Sequence, residues 1–140
     1  MTRPFDDVSV GQELPELRRR VTREAVKAYA DAGGDQNPLH QSDEFARSVG
    51  LDGVIAHGMF TMGHMAACVV EWAEDPAAIS AISAQFRATV SMGQEIVAGG
   101  RVRSLDPDAR SATVELWVSS ERDGATEWPI KRGEATVRLV

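Results

Sequence analysis

The sequence predicts an α+β fold, one long apolar helix buried against a curved antiparallel sheet, on three observations. From Met59 to Trp72 the chain is apolar nearly all round, and a helix with no polar face belongs in the middle of a domain. Upstream of it, amphipathic helical spacing ends at a Gly-Gly pair; downstream, from Ile79 onward, the apolar residues follow strand-like patterns between turn signals. Helices followed by a run of strands define α+β rather than an alternating α/β chain. With 140 residues, a single domain spanning 1–140 is expected.

Residues 5–12 read as an irregular or extended entry ending at Gly11, and 13–21 as extended chain anchored by Leu14, Leu17 and Val21. Thr22 is an N-cap, although Ala25 stands where a complete capping box would carry Glu. Val26, Tyr29 and Ala30 give a helix over Arg23–Ala32, which Gly33-Gly34 ends. Ser42 opens a short helix over Asp43–Ser48, and Leu51-Asp52-Gly53 forms a turn. Val54-Ile55-Ala56 leads into His57-Gly58 and the central helix, whose far end is marked by Glu71, Glu74, Asp75 and Pro76. Four strands follow: Ile79–Val90, Glu95–Leu105, Ala112–Ser120 and Pro129–Val140. Asp106-Pro107-Asp108 and Asp123-Gly124 are the turn signals between the later ones.

Two stretches carry chemistry. Asp35-Gln36-Asn37-Pro38-Leu39-His40 sets a carboxylate and an imidazole five positions apart. Proline fixes its own φ and disfavours the helical region for the residue before it, so a rigid non-helical loop is expected to aim both groups at one point. Ala56-His57-Gly58-Met59 starts the apolar helix at a glycine, where free N–H groups stand unobstructed. An acid, a base and an N–H donor are the parts needed to work on a polarised carbonyl compound.

Composition narrows the function classes. A formal net charge of −6 argues against a nucleic-acid partner. Arg18-Arg19-Arg20 is too short to change that and reads as a solvated strand end or a local phosphate patch. Cys68 is the single cysteine, which excludes an internal disulfide and fits a reducing cytoplasm. The first residues carry no apolar signal region, and no run reaches the roughly 18 apolar residues of a membrane span. No His/Cys cluster has metal-ligand spacing, so no metal is expected, and no cofactor. His64 reads as a satisfied core or interface residue, Cys68 as an inert buried thiol, and Met59, Met62 and Met65 as core or tunnel lining.

The paired motifs Asp35-Gln36-Asn37-Pro38-Leu39-His40 and Ala56-His57-Gly58-Met59 resemble the hydratase-2 motif of the MaoC-like dehydratases, (R)-specific enoyl-CoA hydratases of hot-dog fold. The resemblance covers nearly the whole chain. It extends to short actinobacterial subunits related to the β-subunit of the mycolic-acid (3R)-hydroxyacyl-carrier-protein dehydratase. It implies a five- or six-stranded sheet and a homodimer or a heterodimer with a related hot-dog subunit. By position, Asp35 and His40 match the catalytic pair, and Gly58 the residue whose backbone N–H binds the thioester carbonyl. Asn37, His57 and Met59 join Gly58 as candidate substrate-binding residues. Some members carry a serine two turns into the helix that supports the Asp; here Ala66 stands there, leaving Asn37 and backbone amides to hold Asp35.

The function expected from this reading is reversible hydration of trans-2-enoyl thioesters to (R)-3-hydroxyacyl thioesters in fatty-acid metabolism. A hot-dog acyl thioesterase is the second reading, since the fold hosts both; such enzymes commonly use a carboxylate on or near the central helix, and none precedes Glu71 here. A non-catalytic partner subunit is the third, and the intact Asp35/His40 pair counts against it. Acyl length, and coenzyme A versus acyl-carrier protein, stay open.

Overall fold

The computed structural model describes residues 2–140. Its strands are β1 (Leu17–Arg20), β2 (Ile79–Phe86), β3 (Glu95–Asp106), β4 (Ser111–Arg122) and β5 (Ala125–Arg138), and its helices α1 (Arg23–Gly33), α2 (Asp43–Ser48) and α3 (Gly58–Ala73). The strands form one antiparallel sheet in the order β1-β3-β4-β5-β2, with α3 against it. This is the hot-dog fold.

Local chemistry sets the element ends. The Thr22 hydroxyl accepts from the Ala25 N–H at 3.1 Å and starts α1; Gly34 closes it at φ 80°. Ser42 caps α2 in the same way through the Phe45 N–H. Asp123 and Gly124 both take positive φ (52° and 78°), the backbone of a two-residue hairpin turn. Strand β5 therefore begins at Ala125, four residues before the sequence-predicted start at Pro129. Pro129 is tolerated inside a central strand because the β4–β5 register is irregular there, and Arg132 lies nearby at φ 51°. Strand β2 stops at Phe86 rather than running to Val90. Beyond it the Val90 carbonyl accepts from the Ala56 N–H at 2.8 Å, so the chain leaves the sheet to brace the lead into α3.

Val114, Leu116 and Val118 of β4 point into the core as their alternation predicts. Met65, Val69 and Trp72 of α3 meet them there. Helix α3 is not buried all round: Gly58, Met59 and Gly63 are exposed, and Met62, Ala66, Ala67 and Val70 are half-buried. A single five-stranded layer covers one side of a helix, and the other side stays open in one chain. His64 is buried and donates Nε2–H to the Leu17 carbonyl at 2.7 Å. Cys68 is buried beside the Ala98 carbonyl, and burial pushes its thiol up to about 11. Arg18, Arg19 and Arg20 are exposed along the edge strand β1, and Glu95 neutralises part of their charge. Among the described residues no helix is long and apolar enough to cross a membrane.

Candidate active site

The Asp35–His40 segment leaves α1 directly and folds on its own short bonds. The Asp35 carboxylate accepts from the Asn37 N–H at 3.2 Å, and the Asn37 side-chain oxygen accepts from the Leu39 N–H at 3.0 Å. Pro38–His40 is one turn of 3₁₀-helix rather than the non-helical loop expected. Asn37 acts as an N-cap, and a proline at the first helical position costs no hydrogen bond, so the motif starts a turn instead of forbidding one.

Three hydrogen bonds lace this turn to the start of α3. The Ile55 N–H donates to the Leu39 carbonyl at 3.2 Å. His40 Nδ1 lies 2.7 Å from the Ile55 carbonyl, and His57 Nε2 lies 3.0 Å from the Asp35 carbonyl. A carbonyl only accepts, so each of these nitrogens carries the proton. In the neutral ring His40 Nε2 then keeps its lone pair. The two imidazoles stack, with centroids 3.7 Å apart and planes 24° from parallel. Tyr29 of α1 packs against His57 from another direction at 4.9 Å. Asp43 fixes the segment from outside: its carboxylate accepts from the Val54 N–H and pairs with Arg23, and these bonds hold its pKa below the ordinary value.

The structure brings Asp35, His40, His57, Gly58 and Met59 together on one cavity of about 380 Å³, with Tyr29, Gly33 and Phe86 completing its wall. A second cavity of about 330 Å³ adjoins it, lined by His40, Ile55, Ala56, Gly58, Thr61, Phe86 and neighbours up to Val90. Asn37 is the one candidate not brought in: it lines neither cavity, and its side chain is committed to the turn. The support for Asp35 comes from the Asn37 backbone amide, not its side chain. Ala66, with no polar side-chain atom, offers Asp35 nothing.

One potential donor atom each from Asp35, His40 and His57 lies within 4.8 Å of the others. Two hydrogen bonds to one bridging water span about this distance. These three side chains are also a group that could hold a metal ion, although the sequence offered no such cluster; one nitrogen of each ring faces a carbonyl, which leaves one nitrogen of each for any further partner. Gly58 opens α3, and the side chain of the cap residue His57 accepts from none of the helix N–H groups. The His57 carbonyl serves Phe60 and Thr61, so the first N–H groups, those of Gly58 and Met59, have no acceptor inside the helix. The helix dipole adds to their pull on a developing anion.

Sequence reasoning missed three wall residues of the first cavity. Tyr29 is recognisable only as an apolar position of α1, Gly33 only as a helix end, and Phe86 as one strand residue among several; no local signal marks any of them as part of a site.

A segment bearing an acid and an imidazole is thus set against the bare N-terminus of a helix inside a hot-dog sheet. The chain belongs to the MaoC-like domain family, whose profile matches residues 7–124. It is 33% identical over 110 residues to a 3-hydroxybutyryl-CoA dehydratase of Methylorubrum extorquens, covering 77% of this chain and 69% of that one. It is 28% identical over 136 residues to an (R)-specific enoyl-CoA hydratase of Rhodospirillum rubrum, covering 96% and 90%. Among solved structures, the (R)-hydratase of A. caviae involved in PHA biosynthesis superposes with a TM-score of 0.84 at 28% identity, over 95% of this chain and 98% of that one. A MaoC-like dehydratase superposes at 0.86 with 38% identity; the chain spans 43% of that longer protein.

Proposed function

We propose that the protein is a hydro-lyase that reversibly hydrates trans-2-enoyl thioesters to (R)-3-hydroxyacyl thioesters. Family membership and the named relatives support this reading, and one observation carries the mechanism: the His40 Nδ1–H bond to the Ile55 carbonyl, which leaves Nε2 free to take a proton. A water held between His40 and Asp35 attacks C3. Its proton passes to His40 Nε2, and its oxygen becomes the 3-hydroxyl. Asp35, which enters the cycle as the protonated acid, delivers that proton to C2 as the double bond is lost and is left as the carboxylate. Proton exchange between the two close groups through water restores the starting state. Charge that develops on the thioester oxygen is met by the N–H groups at the start of α3, chiefly that of Gly58. Met59 and His57 form the wall beside it.

The test is a hydration assay on enoyl-CoA thioesters of graded chain length, followed by loss of conjugated absorbance, with the protein alone and mixed with related hot-dog subunits. Release of free coenzyme A thiol without loss of conjugation would make it a thioesterase instead. Neither signal, with tight acyl-CoA binding retained, would leave the non-catalytic partner reading.

A further inference from the structure

We propose that Phe86 is a specificity-determining residue, and that its ring restricts the site to thioesters unbranched at C2. This rests on the function proposed above. Three residues line both cavities: His40, Gly58 and Phe86. His40 contributes an imidazole and Gly58 a bare backbone, so the bulk at the junction is Phe86. It is the last residue of β2, where its backbone pairs with Ile130, yet its side chain is 50% exposed and lies outside the core. The ring lies over the start of α3 instead. A single carbon added to Gly58 would stand 3.3, 3.4 and 3.6 Å from three atoms of that ring. The closest of these is tighter than ordinary contact, so the ring rests against the start of α3 and a side chain at position 58 would have to push it back by a few tenths of an ångström.

A thioester with its oxygen on the Gly58 N–H and its C3 beside the water held by His40 and Asp35 has C2 between them, at the junction. A flat, unbranched enoyl group can lie along the ring there. A methyl branch on C2 adds one carbon beside the Phe86 ring. The second cavity, which Ala56, Thr61 and Ala88 line together with Ile55, Arg87, Thr89 and Val90, takes the remainder of the acyl chain.

The experiment compares kcat/KM for 2-methylcrotonyl-CoA and crotonyl-CoA in the native protein, Phe86→Ala and Phe86→Leu. One methyl group in a close-fitting pocket is worth roughly 10- to 200-fold in discrimination, so the branched-to-unbranched ratio should rise at least about tenfold in Phe86→Ala and by less in Phe86→Leu. A ratio that moves by less than about twofold in both folded variants overturns the proposal. Dissociation constants for isobutyryl-CoA and butyryl-CoA, which carry no double bond to hydrate, provide the second readout. Phe86→Ala should favour the branched ligand relative to the native protein; an unchanged binding ratio counts against the proposal. If the native protein hydrates nothing, the functional reading fails by itself, and the binding ratio still decides the role of Phe86.

Discussion

At the scale of residues, the site depends on which nitrogen of each histidine is committed to a carbonyl. His40 uses Nδ1 on Ile55 and His57 uses Nε2 on Asp35, so the stacked rings are not equivalent. His57 Nδ1 is buried with no protein hydrogen-bond partner among the described residues. That suits a residue that holds the Asp35 backbone and the His40 ring in place, rather than one that transfers protons. Asp35→Asn and His40→Ala are each expected to lower kcat by about 100- to 10,000-fold without loss of fold. Either variant keeping more than about a tenth of native turnover, with native circular dichroism, rules out that assignment. His57→Ala removes the stack and the bond to Asp35 but no proposed proton carrier. Misplacement of reacting groups by about 1 Å costs roughly 100-fold, so a loss of up to that size is expected, smaller than that of His40→Ala. If His57→Ala matches His40→Ala at unchanged thermal stability, the base has been assigned to the wrong ring.

At the scale of elements, α3 is held by two devices that make different predictions. The first is close approach. A Cβ on Gly133 of β5 would stand 2.8 Å from the Leu116 carbonyl oxygen and 2.8 Å from the sulfur of Met65 on α3. Overpacking of this kind costs about 1–3 kcal/mol, so Gly133→Ala should lower the thermal midpoint measurably while sparing the site chemistry. A neutral effect would mean that the Met65 side chain and the backbone yield freely. The second device is His64, which ties α3 to β1 through the Leu17 carbonyl. Burial lowers its pKa below the ordinary 6.5. The folded protein therefore binds this proton less readily than the unfolded chain, and the stability due to neutral His64 is complete above about pH 6.5 and lost as pH falls toward the lowered value. His64→Gln can still reach the carbonyl but does not titrate. Denaturant melts between pH 7 and pH 5 should then show a shallower decline for His64→Gln than for the native chain (urea, about three intermediate pH values); parallel declines would remove His64 from the account.

At the scale of the whole molecule, the sheet ends in two free edges, β1 and β2, and one side of α3 is open. Met62, Ala66, Ala67 and Val70 are only half-buried there, with Gly63 exposed. Apolar helix surface beside an unpaired strand edge is what a second hot-dog subunit would cover. The protein is expected to sediment as a dimer, with itself or with a related subunit, and to lose activity on dilution to monomer. A stable and active monomer at micromolar concentration contradicts this.

The sequence by itself determined the element order, the caps at Thr22 and Ser42, the hairpin at Asp123-Gly124 and the central position of α3, because each follows from neighbours within a few residues. It also placed Asp35 and His40 on a short segment next to a helix end. The structure decided what the local pattern does not contain. It wound Pro38–His40 into a turn, since Asn37 could cap it, and withdrew the Asn37 side chain from the cavity. It stacked His57 on His40 across 17 positions of sequence. It ended β2 at Phe86 and laid that ring over Gly58, a contact made by a sheet edge and a helix start that meet only when the sheet closes around α3. Hydrogen bonds between near neighbours are legible in a sequence; the walls of a cavity are drawn from elements whose distance apart is set by packing alone.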